Sequence, residues 1–81
     1  MTPEQSRAAR GWLDWSQAKL AKTAGVAIST VRDFEKGRRA PISNNLNAMR
    51  GALEAAGIAF PTDGVSYVGP KTPDNPQDRN G

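Results

Sequence analysis

The sequence predicts a mainly α fold, four helices followed by a short β-hairpin and a disordered tail. Three observations carry that prediction. Apolar residues recur at three- and four-residue spacings from Ala9 to Ala56, the period of a helix with about 3.6 residues per turn. After Gly57 the spacing changes to two, the period of a strand. From Gly69 the chain reads GPKTPDNPQDRNG, with three prolines and almost nothing apolar, a composition that cannot bury enough surface to fold. The chain is therefore divided into a helical domain over residues 1–57, a hairpin over 58–68 and a disordered tail over 69–81.

Thr2-Pro3-Glu4 opens the first helix with a hydroxyl cap, a proline at the first helical position and an acid near the positive end of the dipole. It should run from Pro3 to about Gly11 or Leu13, with Ala9 and Leu13 turned to the core. Trp12 and Trp15 flank its end. Two tryptophans beside a helix junction are expected to shield the core edge, since stacking on unpaired bases needs an open platform. Ser16 should cap the second helix, whose inner face carries Leu20, Ala21 and Ala24. Gly25 then closes that helix in the left-handed conformation, and Val26 folds back under the turn. In the third helix, starting at about Ala27, Ala27, Val31 and Phe34 fall on the core side. Ile28, Ser29, Arg32, Asp33 and Lys36 fall on the outward side. Pro41-Ile42-Ser43 leads into the fourth helix, with Ser43 as the expected cap and Leu46, Met49, Ala52, Leu53 and Ala56 as its apolar stripe. Ile58-Ala59-Phe60 and Val65-Ser66-Tyr67-Val68 then alternate about Pro61-Thr62-Asp63-Gly64, the pattern of a hairpin. Two strands alone are marginal in water. They need a partner surface, either their own helices or a second copy of the chain, which makes the hairpin a candidate dimerisation element.

The stretch QAKLAKTAGVAISTVRDFEKG, residues 17–37, places small Ala21, turn Gly25 and apolar Leu20, Ala24, Val26, Val31 and Phe34 at characteristic offsets. It resembles the helix-turn-helix unit of the XRE-type family of phage lambda repressor and Cro. Phe34 to Pro41, FEKGRRAP, is similar to that family's exit from its recognition helix. The small residue has a physical reason: helices crossing at about 90–120° approach closely at Ala21. The resemblance implies a four-helix lambda-repressor-like domain whose recognition helix, residues 28–36, enters the major groove of double-stranded DNA. It implies that Ile28, Ser29, Arg32 and Asp33 face base edges and that Gln17 reaches a backbone phosphate or the outermost base. It also implies that Arg10 pairs with Glu35, locking the recognition helix against the first helix. One departure stands out. The family often has glutamate three residues after the second helix's cap, and here that residue is Lys19. The capping box is lost and a cation sits near a positive helix end, at a cost of a few tenths to ~1 kcal/mol. Facing DNA the sign reverses, and Gln17 and Lys19 at a helix N-terminus become phosphate contacts.

Chemistry gives each reader a role. Arg32 can be bidentate to guanine, Ile28 can pack on a thymine methyl, Ser29 can donate or accept, and Asp33 can accept from cytosine. Asp33 can instead brace Arg32 or Lys36, or repel the phosphates of wrong sequences. Lys36, Arg38 and Arg39 form a basic loop suited to phosphates, and Asn44, at the start of the fourth helix, can join them.

The composition narrows the alternatives. At 81 residues the chain makes one small domain. With no cysteine and no histidine, disulfides and thiolate or imidazole metal sites are not expected. No carboxylate pair has a catalytic spacing and no glycine loop could cradle phosphate, so neither an enzyme nor a cofactor is expected. No apolar run approaches a membrane span of about 18 residues, and the N-terminus lacks a signal peptide's hydrophobic stretch. A soluble, cytoplasmic protein is the expectation. Charge is uneven: residues 1–58 hold nine basic and five acidic side chains, residues 59–81 two and three. The basic surplus lies with the helices, as a phosphate binder requires.

Two functions follow. The first is a sequence-specific transcriptional regulator acting as a homodimer, because one helix in a groove reads too few base pairs while a twofold pair reads half-sites about 34 Å apart. Repression by covering a promoter is its simplest output. The second is a protein-interaction module of the same fold, an antitoxin or antiactivator using the hairpin or tail. The basic and polar reader face favours DNA, and both roles can coexist.

Overall fold

The computed structural model describes residues 1–70 and has the order α1 (Pro3–Leu13), α2 (Gln17–Ala24), α3 (Ile28–Glu35), α4 (Ser43–Ala55), β1 (Ile58–Ala59), β2 (Ser66–Tyr67). The tail expected over 69–81 lies, beyond Pro70, outside the described residues. Ala9 of α1, Leu20 and Ala21 of α2, Val31 and Phe34 of α3, Met49 and Leu53 of α4 and Ile58 of β1 form one buried cluster. Each large member contributes roughly 1.5–3 kcal/mol by leaving water.

The N-terminus of α1 is tied more fully than a hydroxyl cap alone would do. Thr2 Oγ1 accepts from the Gln5 N–H at 3.1 Å, and Gln5 Oε1 accepts from the Thr2 N–H at 2.9 Å, a reciprocal capping box. The same buried amide then crosses to the hairpin, where its Nε2 donates to the carbonyls of Pro61 and Gly64, both at 2.9 Å. Both carbonyls accept from Gln5, and Pro61 has no N–H to offer Gly64 across the ladder. The strands consequently stop at two residues each, shorter than the alternating pattern predicts, with Ile58 opposite Tyr67 and Ala59 opposite Ser66.

Serine and glycine bound α2 as expected. Ser16 Oγ accepts from the Lys19 N–H at 2.9 Å, Gly25 takes φ 73°, and the Val26 N–H returns to the Ala21 carbonyl at 3.0 Å. That closure keeps α2 and α3 in close approach over Ala21, which is only 4% exposed. Three expectations need correction. Ala27 is the exposed cap residue of α3 and not part of its core side, because α3 starts one residue later. Ser43 is the first residue of α4; Ile42 takes the cap position in extended conformation and supplies no side-chain cap. Trp12 is 63% exposed and shields no core edge. It faces the hairpin instead, stacked on Tyr67 with ring centroids 5.8 Å apart, while Trp15 does pack on the core.

Candidate nucleic-acid interface

The C-terminal end of α3 carries Glu35, which is 3% exposed and has four charged or polar side-chain donors around its carboxylate and backbone. From α1, Arg10 forks onto it, with Nη2 at 2.6 Å from Oε1 and Nε at 2.8 Å from Oε2. Ser6 Oγ donates to Oε2 at 2.6 Å, Gln17 Nε2 from the first turn of α2 donates to Oε1 at 3.1 Å, and Arg7 donates to the Glu35 carbonyl. Arg10 also donates to the Trp15 carbonyl at 3.0 Å. Burial alone would push the Glu35 carboxyl up. The Arg10 fork, the Ser6 hydroxyl and the Gln17 amide outweigh it and hold the carboxyl below its ordinary value. The hydrogen bond to Glu35 likewise holds the Arg10 guanidinium more firmly protonated, against the opposing pull of its own burial. One carboxylate thus fastens the end of α3 to α1 and to the start of α2, and the orientation of α3 follows.

The face of α3 turned away from this lock carries Ile28, 40% exposed, with Ser29 and Arg32 exposed beside it and Asp33 half-buried. Lys36, Arg38, Arg39 and Asn44 continue the exposed surface through the connecting loop to the first turn of α4. Lys19, on α2, holds its ammonium 5.5 Å from the centre of the Trp15 ring, a cation–π contact that offsets its place in a positive first turn. Among the described residues the ion pairs are Arg10 with Glu35, Arg7 with Glu4 and Arg50 with Glu54. Arg32, Lys36, Arg38 and Arg39 belong to none of them, and Asp33 braces neither Arg32 nor Lys36 by an ion pair. Four basic side chains against the one carboxylate of Asp33 leave this face with a net positive charge that no ion pair among the described residues engages.

Helix ends add to it. Neither α3 nor α4 has a side-chain cap, and neither has an acid in its first turn, in contrast to α1 with its capping box and Glu4. Their leading N–H groups have no side-chain acceptor, which suits them to anionic oxygen. A cleft of about 250 Å³ runs between α3 and the loop into α4, lined by Ser29, Thr30 and Asp33 on one side and Arg39, Pro41 and Asn45 on the other. Thr30 and Asn45 were not among the sequence candidates. Thr30 lies within the helix-turn-helix stretch but off its outward set, Asn45 lies outside that stretch, and only the fold sets them across one cleft.

Two short helices fastened at a fixed crossing, the second offering a basic and polar face, define a DNA-binding helix-turn-helix domain. A family model described as helix-turn-helix matches residues 7–53, from within α1 to within α4 and across all of α2 and α3. That is more than half of the chain, and the chain belongs to this family of XRE-type, lambda-repressor and Cro-like DNA-binding regulators. No curated protein matches it. Among the described residues no helix is long and apolar enough to cross a membrane.

Proposed function

We propose that this chain is a sequence-specific transcriptional regulator that binds an inverted-repeat operator as a homodimer and represses by covering the promoter. The observation that supports this most directly is the surplus positive charge of Arg32, Lys36, Arg38 and Arg39 beside α3, none of which is held in an ion pair among the described residues. In this reading residues 28–36 enter the major groove. Arg32 takes guanine, Ile28 a thymine methyl, Ser29 a base edge and Asp33 the amino group of cytosine. Gln17, Lys19, Lys36, Arg38, Arg39 and Asn44 hold phosphates and set the register. Residues 1–57 do the reading and 58–68 serve assembly.

Selection of bound duplexes from a random pool by the full chain, near physiological salt, tests the proposal. Enrichment of an inverted repeat with half-site centres one helical turn apart, about 34 Å, is the expected result. Weak, salt-sensitive binding with no enriched sequence would overturn it and put the protein-partner reading, an antitoxin or antiactivator, in its place.

A further inference from the structure

We infer that Trp15 is a positioning residue for DNA binding: its indole ring holds the Lys19 ammonium in place at the start of α2, where a backbone phosphate is to be met. The inference rests on the DNA-binding reading above and deepens it at one contact.

The ring is fixed before anything binds. Trp15 follows Asp14, whose left-handed φ of 58° ends α1 and turns the chain back on it. The Trp15 N–H donates to the Arg10 carbonyl at 2.9 Å, and the Trp15 carbonyl accepts from Arg10 Nη1 at 3.0 Å. Both backbone groups of Trp15 are thus committed to a residue that is itself forked onto buried Glu35. The half-buried indole packs on the core. Ring and main chain are held together.

Lys19 stands in the first turn of α2, a turn with no acid, where the helix dipole disfavours a cation. Among the described residues its ammonium is paired with no carboxylate. It rests on the Trp15 ring instead, 5.5 Å from Nζ to the centroid. A ring quadrupole attracts a cation without neutralising it, and it leaves free the N–H donors that point away from the ring. A carboxylate would take both charge and donors. Arg50 shows the contrast: it lies 5.5 Å from the centre of the Phe60 ring, but it is also paired with Glu54 at 3.0 Å. Lys19 is held and keeps its whole charge.

A held side chain has less freedom left to lose. Lysine carries a flexible four-carbon stem, and ordering it on a phosphate costs affinity. An ammonium already resting on Trp15 has met part of that cost in the free protein. Gln17, in the same turn, is held by Glu35 at 3.1 Å. Two side chains of the first turn of α2 are therefore preset by two fixed residues, and both of those residues are bound to Arg10. Lys22, one turn further on, is exposed and rests on no ring among the described residues, which makes it the internal control.

A double-mutant cycle on the full chain tests the inference. Binding to a labelled duplex of about 20 base pairs of random sequence, at about 50–200 mM salt, needs no knowledge of the operator. Trp15→Leu should weaken binding about two- to fivefold when Lys19 is present and leave it unchanged in a Lys19→Gln background. Trp15→Phe keeps a ring and should restore most of the loss. Without DNA, the ε-methylene protons of Lys19 should resonate upfield of those of Lys22 through the indole ring current, and Trp15→Leu should abolish the difference. If Trp15→Leu does not fold, the parent spectrum and the same cycle with Trp15→Phe, expected to give a smaller loss of the same pattern, still decide. Equal weakening by the Trp15 variants in both backgrounds would show that Trp15 acts through the fold alone and would overturn the inference. So would Lys19 protons resonating with those of Lys22. A parent chain that binds duplex while the cycle is additive sinks the positioning role alone; a parent chain that binds no duplex sinks the DNA reading and this inference with it.

Discussion

Replacing Arg10 with methionine would leave the Glu35 carboxylate buried at 3% exposure with only Ser6 and Gln17 as side-chain donors. Breaking one side of a buried pair costs about 3–5 kcal/mol, because the remaining charge is uncompensated. The two surviving donors place the expected loss near the lower end, about 3 kcal/mol, against a total of about 5–10 kcal/mol for a domain of this size. The corresponding fall in Tm is about 12–24 °C. Urea unfolding followed by tryptophan fluorescence and circular dichroism measures it. Arg10→Met with Glu35→Leu removes both charges and should recover most of the loss. Acid supplies an independent check. In the parent chain Glu35 is held below its ordinary value of 4.5, so its contribution is present above about pH 4.5 and disappears as pH falls through the lower folded-state value. In Arg10→Met burial acts with less opposition and the unfavourable carboxylate is relieved by protonation. The gap between parent and variant should therefore narrow below pH 4.5. A difference under about 1 kcal/mol at pH 7, or an equal gap at pH 7 and pH 3, would show that Glu35 is not the lock described here.

The remaining expectations concern reading and the hairpin. Arg32→Ala should weaken the selected operator by ~1–3 kcal/mol and relax its preference at one base pair; equal loss on every duplex would end its base-reading role. Arg38→Ala should weaken all duplexes alike and reduce the salt slope by about one unit, and an unchanged slope in a titration series would remove it from the phosphate contacts. Gly57→Ala should loosen the hairpin. Gly57 has φ +115°, and a Cβ there would lie 2.5 Å from the Tyr67 ring and 2.8 Å from the Gly69 carbonyl carbon. A loss of at least about 1 kcal/mol in urea unfolding is expected, with the Trp12 emission shifting as Tyr67 leaves it; an unaltered midpoint would mean that the hairpin yields freely.

How much was legible in the sequence depended on range. Ser16, Gly25 and the apolar spacing of α2 and α3 act within a turn or two, and they place those helices without help from the rest of the chain. Arg10 and Glu35 stand 25 residues apart, and no spacing rule joins them; only the resemblance did. Ser6 had a local signal, since it precedes Arg10 by one turn and shares its face, yet serine on a helix is too common to mark a buried donor. Gln5 is similar. The Thr2-to-Gln5 spacing is that of a capping box, but nothing local reports that the other end of the amide crosses 56 and 59 residues to Pro61 and Gly64. Trp12 lies off the core stripe of α1, so its place was decided by where Tyr67 came to rest. Ala27, read as the first core-side residue of α3, and Ser43, read as the cap of α4, are each displaced by a single residue, the range over which helix ends fray and their bounds vary.

The Glu35 network bears on function through Gln17. A carboxamide has two N–H donors and an acceptor oxygen. One donor is spent on Glu35 at 3.1 Å, which leaves the second donor and the oxygen at the first turn of α2, beside the N–H groups of that helix. If Gln17 holds a phosphate, its side chain is already fixed before DNA arrives, and little rotamer freedom remains to be lost on binding. The carboxylate that fixes it belongs to Glu35, the last residue of α3, and Arg10, which forks onto it, also donates to the carbonyl of Trp15, the residue whose ring lies under the Lys19 ammonium. The distance between the first turn of α2 and the exposed face of α3 is therefore set by one buried group and not by two flexible surfaces. Leucine could serve stability as well as a buried ion pair, but the Arg10 fork onto Glu35 is directional, with two hydrogen bonds of 2.6 and 2.8 Å, and it fixes an orientation that an apolar contact does not specify.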